Sequence, residues 1–359
     1  MYSGHGGAGV PDLSVVIPTY NSAEWLPTTI AALVLALSET SWTAEIIVVN
    51  DGSTDATIEV LESQKSNSPY PLRIVNQENK GRFMARWEGI QSASSSKVFV
   101  LDSRVLIHES ALAHLESALV ERPGVMVWNG HVITDPTAPL VGRFWEVPTF
   151  LFWGRYLAHP RPTLITKDNF DRLPKGTGCL LLPKDLYERA CLASWPSENA
   201  HLVSDDTKLL RFIIEETPIL LDPEFSATYR PRVTFRGFLS HSRGRGTLFV
   251  DSYAGTSTGR DLTLILLAIL PPLVALGLAA FAVQGLWVLF AVLLATGLGS
   301  ILAPFLIASA RGCPLRAGAS YLCYIVPFGL TFWAGLVRGI LVHRKSFQFH
   351  KQFSNGANT

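Results

Sequence analysis

The chain has 359 residues, with 30 Lys and Arg against 29 Asp and Glu, and this length suits two unequal parts better than one average domain. A formal charge of +1 gives no reason to expect the basic stripe that a nucleic-acid partner requires, so no nucleic acid is expected. The positive mean hydropathy averages two different halves, because charges recur from Asp12 to Arg260 and none occurs from Leu262 to Ala310. The four cysteines, Cys179, Cys191, Cys313 and Cys323, lack C-x-x-C spacing and histidine companions, which argues for buried or lipid-facing thiols and against a zinc site.

The N-terminal MYSGHGGAGVPD has neither the basic nor the apolar region of a secretory signal. Residues 1–12 read as a flexible lead-in to a cytosolic part. Leu13 to Ile17 and Glu45 to Val49 are short β-branched runs ended by Pro18 and by Asn50-Asp51-Gly52, the pattern of buried strands. A helix is expected from Ser22 to Leu37, and another after a Ser53-Thr54-Asp55 cap to about Gln64. Strands at Leu72 to Val75 and Lys97 to Leu101, with a helix from about Phe83 to Ala93 between them, continue the alternation. Four strands alternating with helices make a parallel, Rossmann-like half whose ligands sit at the carboxyl ends of the strands.

Beyond Arg260, the segments Leu262 to Phe281, Leu286 to Ala308 and Ser320 to Val342 each approach the roughly 20 apolar residues that cross a bilayer. Positive residues precede the first (Arg243, Arg245, Arg260), lie in the second connection (Arg311, Arg316) and follow the third (His343, Arg344, Lys345, Lys351). The positive-inside rule puts all of these in the cytosol, which three full crossings cannot do. Either the tail breaks the rule or Ser320 to Val342, which holds Pro327 and Arg338, is an interfacial or re-entrant helix.

At the ends of the first two strands stand Pro18-Thr19-Tyr20-Asn21 and Asn50-Asp51-Gly52-Ser53-Thr54-Asp55. An aspartate in that crevice can accept hydrogen bonds from a base edge or a ribose, and a following helix N-terminus favours an anion. A tight turn with an Asp or Ser cap is the plainer reading. The strings VVIPTYNSAEWL, IIVVNDGSTDAT, NKGRFMARWEGI and FVLDSRV, in this order and spacing, resemble membrane-anchored bacterial members of the family 2 glycosyltransferases. The resemblance covers roughly Leu13 to Gly246 and implies an α/β, GT-A (Rossmann-like) nucleotide-sugar-binding domain followed by a C-terminal helical transmembrane domain. The boundaries it suggests are a 13–230 catalytic domain, a 231–260 basic interfacial segment, 261–345 transmembrane helices and a 346–359 tail.

By the same resemblance, Pro18, Tyr20, Asn21 and Asp51 hold the donor nucleotide, and Lys80, Arg82 and Arg86 close over it. The family's D-x-D, which binds Mg2+ or Mn2+, stands here as Asp102-Ser103-Arg104. Asp102 remains as metal and donor ligand, while Arg104 replaces a hard oxygen donor by a cation able to pair with phosphate. Gly176 and Gly178 of Lys175-Gly176-Thr177-Gly178-Cys179 fall at the acceptor end. Asp206, beside Asp205, takes the place of the general base that removes the acceptor proton, or else caps a helix. Arg243 and Arg245 stand where the family has Q-x-x-R-W, whose Gln and Trp are absent.

The implied reaction is inverting transfer of a sugar from a nucleotide-sugar, with UDP the commoner family habit, to a membrane-bound acceptor such as a polyprenyl-linked saccharide or glycolipid. This places a multi-pass protein in the plasma membrane, in contact with its lipids and with its catalytic domain cytoplasmic, in cell-envelope glycan synthesis. The alternatives are a polyprenyl-phosphate glycosyltransferase, a processive polysaccharide synthase and a non-catalytic scaffold of a glycan-assembly complex.

Overall fold

The computed structural model describes residues 9–196, 200–204 and 206–348. Asp205, most of the expected lead-in and most of the expected tail lie outside them. The described residues separate into two units, one of residues 9–135, 160–196, 200–201 and 206–230, the other of residues 136–159, 202–204 and 231–348.

The first unit begins with β1 (Leu13–Thr19), α1 (Leu26–Ser38), β2 (Ala44–Asp51), α2 (Thr57–Asn67), β3 (Leu72–Gln77), α3 (Arg82–Ser92) and β4 (Lys97–Leu101). These are the expected alternating elements, and α1 starts four residues later than expected because Trp25 and Leu26 N–H groups both turn back onto Ser22 O. Pro27 then occupies the first turn, where its missing N–H costs nothing. The unit continues with β5 (Val105–Ile107), α4 (Ala111–Glu121) and β6 (Val127–Thr134). After α5 (Glu146–Ala158), which belongs to the second unit, it resumes with β7 (Thr163–Ile165), β8 (Cys179–Pro183), α6 (Lys184–Ala193), α7 (Thr207–Glu216) and β9 (Ile219–Tyr229).

These nine strands form one sheet in the order β3-β2-β1-β4-β8-β6-β9-β5, with β7 paired to β9. The β3-β2-β1-β4 part is parallel, whereas β8 is antiparallel to both β4 and β6. Every residue of β1 is buried, as expected of a strand covered on both faces. Full burial of each Leu, Ile or Val side chain here stabilises the fold by about 1.5–3 kcal/mol. Gly89 lets α3 settle on the sheet, since a Cβ there would run into Val16. Arg86, one turn earlier on the same face, is thereby carried into the interior at the end of β4.

The second unit adds α8 (Phe235–Tyr253), α9 (Thr258–Val283), α10 (Trp287–Ala310) and α11 (Leu315–Val342) to α5. Among the described residues, α9, α10 and α11 are long and apolar enough to cross a membrane. The basic segment expected at a lipid surface is helix α8. It packs on α11 backbone to backbone through small residues, for a Cβ at Gly246 would collide with Phe332 O and one at Gly335 with Arg243 O.

Candidate nucleotide-sugar site

The loops after β1, β2, β3 and β4 meet at the carboxyl edge of the parallel strands. Asn21 has φ 48°, a left-handed conformation that Asn tolerates better than most side chains. There its N–H donates to Ser53 Oγ (2.9 Å) and its Oδ1 accepts from Thr54 N (2.8 Å), joining the first loop to the second. Tyr20 next to it is exposed, and Pro18 is buried as part of β1. Ser22 Oγ lies 3.1 Å from Ser103 Oγ, which ties the β1 loop to the one after β4. Thr19 Oγ1, buried at the same edge, has no hydrogen-bond partner among the described residues.

Asp51 is buried and accepts three hydrogen bonds. Its Oδ1 accepts from Gln77 Nε2 (2.6 Å) and Lys80 N (2.8 Å), and its Oδ2 from Gly81 N (2.9 Å). The carboxylate therefore shapes the loop that opens α3 and leaves the Lys80 side chain exposed. Gly52 is required beside it because its φ is +67° and a Cβ would stand 2.6 Å from Asn79 N. Gly81, at φ +89°, fits against His201 in the same way.

Asp102, at the end of β4, joins α3 to the loop of residues 175–179. Its Oδ1 accepts from Arg86 Nη2 at 2.5 Å; the Arg86 side chain is 2% exposed and that of Asp102 31%. Its N–H donates to Gly178 O (3.0 Å), and Gly178 can carry no side chain, since a Cβ would lie 2.7 Å from Asp102 Oδ2. Asn129, which the sequence reading passed over, shapes this loop: its Nδ2 donates to Gly176 O (2.7 Å) and Cys179 O (3.0 Å), and its Oδ1 accepts from Gly176 N (3.2 Å).

Arg104 turns to another task. Its guanidinium lies 4.0 Å over the Trp25 ring and its Nε donates to Arg230 O (2.8 Å). Arg230 covers the same ring at 5.0 Å, and its Nη2 donates to Trp25 O (3.0 Å) and Ser103 O (3.1 Å). The two arginines thus brace the start of α1 against the β4 and β9 ends.

Asp206 is the N-cap of α7, accepting at Oδ1 from Thr207 N (2.5 Å) and Thr207 Oγ1 (3.0 Å). Both readings of it remain compatible, because a cap can also present its carboxylate to an acceptor. Lys175 belongs to the same electrostatic neighbourhood. Its ammonium donates to Phe170 O and Leu173 O and lies 4.0 Å over the Phe170 ring. Burial pushes it down to about 8, with Asp171 and Asp206 opposing that shift and Arg211 adding to it.

Residues 202–204, just ahead of the acidic pair, are fixed within the second unit. Ser204 N donates to Asp251 Oδ2 (2.8 Å), and His343 lies 3.1 Å from Leu202 O through Nε2 and 3.4 Å from Asp251 Oδ1 through Nδ1. Arg243 and Arg245 also belong to this unit, on α8, with Arg245 5.9 Å over the Trp145 ring. Among the described residues no group of three His, Cys, Asp or Glu side chains is placed to hold a metal. Among the described residues the end of β4 offers one carboxylate, that of Asp102, which would suit Mg2+ or Mn2+ only with waters and substrate oxygens completing the shell.

Residues 14–166 match the model of Glycosyl transferase family 2. The uncharacterized glycosyltransferase YibD of Escherichia coli K12 is 38% identical over 92 residues, 25% of each chain. The putative teichuronic acid biosynthesis glycosyltransferase TuaG of Bacillus subtilis is 26% identical over 52% of this chain and 71% of its own. The chain spans a quarter or less of the first curated relatives it matches. Among solved structures, mannosyltransferase PcManGT of Pyrobaculum calidifontis, in complex with GDP-Man and Mn2+, shares the fold with a TM-score of 0.55, 20% identity and coverage of 87% of each chain. The α/β sheet, the ordered motifs at its carboxyl edge and these likenesses agree: residues 14–166 match a family 2 glycosyltransferase domain, and the sheet has the GT-A fold.

Proposed function

We propose that the first unit binds a nucleotide-sugar at the carboxyl edge of β1, β2 and β4 and transfers its sugar, with inversion, to an acceptor held at the membrane. The observation that carries this is the convergence on Asp102 of the buried Arg86 guanidinium and the Gly178 loop, beside the joined β1 and β2 loops. Pro18, Tyr20, Asn21 and Asp51 form the nucleotide wall, and Lys80 and Arg82 reach over it from the start of α3. The acceptor hydroxyl oxygen attacks the anomeric carbon from the face opposite the nucleotide. The bond from that carbon to the diphosphate breaks, and the hydroxyl proton passes to the Asp206 carboxylate. Nucleoside diphosphate leaves.

Asp102 would hold Mg2+ or Mn2+, which neutralises diphosphate charge when bound. PcManGT, a neighbour in fold, was solved in complex with GDP-Man and Mn2+, while UDP is the commoner donor of the family. Three long apolar helices and the placement of Arg260, Arg311 and Arg344 support a membrane anchor with a cytoplasmic catalytic domain. An active site so anchored suits an acceptor that stays in the membrane, such as a lipid-linked saccharide. TuaG, named for teichuronic acid synthesis, supports a role in cell-envelope glycans.

Purified full-length protein in detergent, incubated with a panel of nucleotide-sugars and lipid extract, tests the reading. Nucleotide release from one donor that depends on the lipid is expected. Neither release nor binding for any donor, with or without Mg2+ or Mn2+, would overturn it.

A further inference from the structure

α9 and α10 are joined by residues 284–286 and meet side by side, a Cβ at Gly277 falling 3.3 Å from Leu293 Cδ2. Where such a hairpin crosses a bilayer, the first turn of α9 and the last turn of α10 emerge on one face. α11 starts beside the end of α10: Cys313 N donates to Ala308 O (3.0 Å), and the Tyr321 hydroxyl donates to Ile301 O (3.2 Å). Gly318 makes room there for the Phe305 ring.

The other end of α11 returns to the start of α9. Trp333 Nε1 donates to Ala268 O (2.8 Å), and Leu336 shares an apolar cluster with Leu264. Just past the helix, Gln348 N donates to Asp261 Oδ2 (2.8 Å) and the Thr258 hydroxyl donates to Gln348 Oε1 (2.9 Å). Both ends of α11 therefore lie at the same end of the hairpin. A crossing helix of 28 residues, about 42 Å long, would have its ends on opposite faces of a hydrocarbon core about 30 Å thick.

The α8 helix makes the same point independently. It runs alongside α11 in the same direction, with Phe238 near Tyr324 (5.7 Å), Thr247 Oγ1 donating to Gly335 O (2.9 Å) and Val250 against Gly339. It carries the exposed Arg236, Arg243 and Arg245, which an upright α11 would take into the hydrocarbon at a cost for each guanidinium.

We infer that α11 does not cross the membrane: α8 and α11 form a layer on the face from which α9 starts. The exposed Leu322, Val326 and Leu330, each one turn from the next, bed into the headgroup and acyl boundary of that face. This rests on the reading that α9 and α10 span a bilayer. It places Arg260, Arg311, Arg316, Arg344 and Lys345 on one side, as the positive-inside rule requires, and removes the odd crossing that the sequence left unexplained.

Single cysteines at the exposed Gln284, Arg316 and Lys345, made in a Cys323→Ser background because the other three native thiols are buried, are labelled with a membrane-impermeant maleimide. Sealed vesicles of both orientations are used. Residues 316 and 345 should label from the same face and residue 284 from the other. Labelling of 316 and 345 from opposite faces would overturn the inference while leaving the hairpin intact. Labelling of 284 from the face of 316 would remove the hairpin's crossing and the inference with it. A reporter fused after Thr359 of the otherwise unaltered chain guards against misfolded variants: a fluorescent protein should glow, whereas activity of a fused alkaline phosphatase would contradict the topology.

Discussion

Gly178→Ala should act on Asp102 without touching any charge. The new Cβ would lie 2.7 Å from Asp102 Oδ2, where ordinary contact begins at 3.4 Å, so the carboxylate must retreat by about 0.7 Å, the difference of the two. The retreat strains a 2.5 Å bond to an Arg86 side chain that is 2% exposed. Breaking a fully buried pair costs about 3–5 kcal/mol. With Asp102 partly solvated and the pair displaced, not deleted, a stability loss of about 1–3 kcal/mol is expected. A misplacement on the order of 1 Å in a catalytic constellation also costs about a hundredfold in rate. Nucleotide release in the presence of lipid extract should therefore fall by about 10- to 100-fold, and tryptophan fluorescence should report a lower midpoint of thermal unfolding. Wild-type turnover with an unchanged midpoint would refute the placement of Gly178 against Asp102.

Three further outcomes follow from contacts elsewhere. Asp251→Ala removes the acceptor for Ser204 N; hydrogen exchange of a peptide spanning residues 200–208 should quicken and turnover should fall, with donor affinity within about twofold of wild type, and unchanged exchange would refute the contact. Lys175 has a folded pKa of about 8, below its ordinary 10.5, so between those values the unfolded chain binds more protons and stability rises with pH. Across that window the unfolding midpoint of the wild type should gain on that of Lys175→Met, and parallel profiles would contradict the burial of the ammonium. Gly335→Leu, which drives a side chain into the Arg243 carbonyl, should separate α8 from α11 and abolish stable expression, while Leu330→Ala on the exposed stripe should leave expression unchanged. Equal yields of the two would refute the backbone contact.

The parallel half of the sheet was legible because buried strands carry unbroken β-branched runs, and β1 to β4 fell within two residues of the expected strands. β5, β7 and β9 were not legible. β5 and β7 have three residues each, and β9 holds Pro223 and shifts register between Gly130 and His131 of β6. At the site, residue types could be read but not their partners. Asp51 is engaged by backbone N–H groups 29 and 30 residues away, and Arg104 is drawn to Trp25 by an aromatic face that no charge pattern announces. Asn129 lacked a signal altogether, because a buried amide that shapes a loop looks like any polar residue near a strand. Hydropathy found α11 by its length and could not tell on which face its ends emerge, which depends on contacts with Ile301 and Ala268.

The proposed sugar transfer is base-assisted and takes place at the carboxyl edge of the sheet. Nucleotide release from the cognate donor, measured with lipid extract for the wild type and for Asp206→Asn, tests it most directly. Asp206→Asn should bind the donor as the wild type does and lose release by about 100-fold or more, in the range that a positioned general base contributes. Release at the wild-type rate from Asp206→Asn would contradict it and leave the residue as the cap of α7.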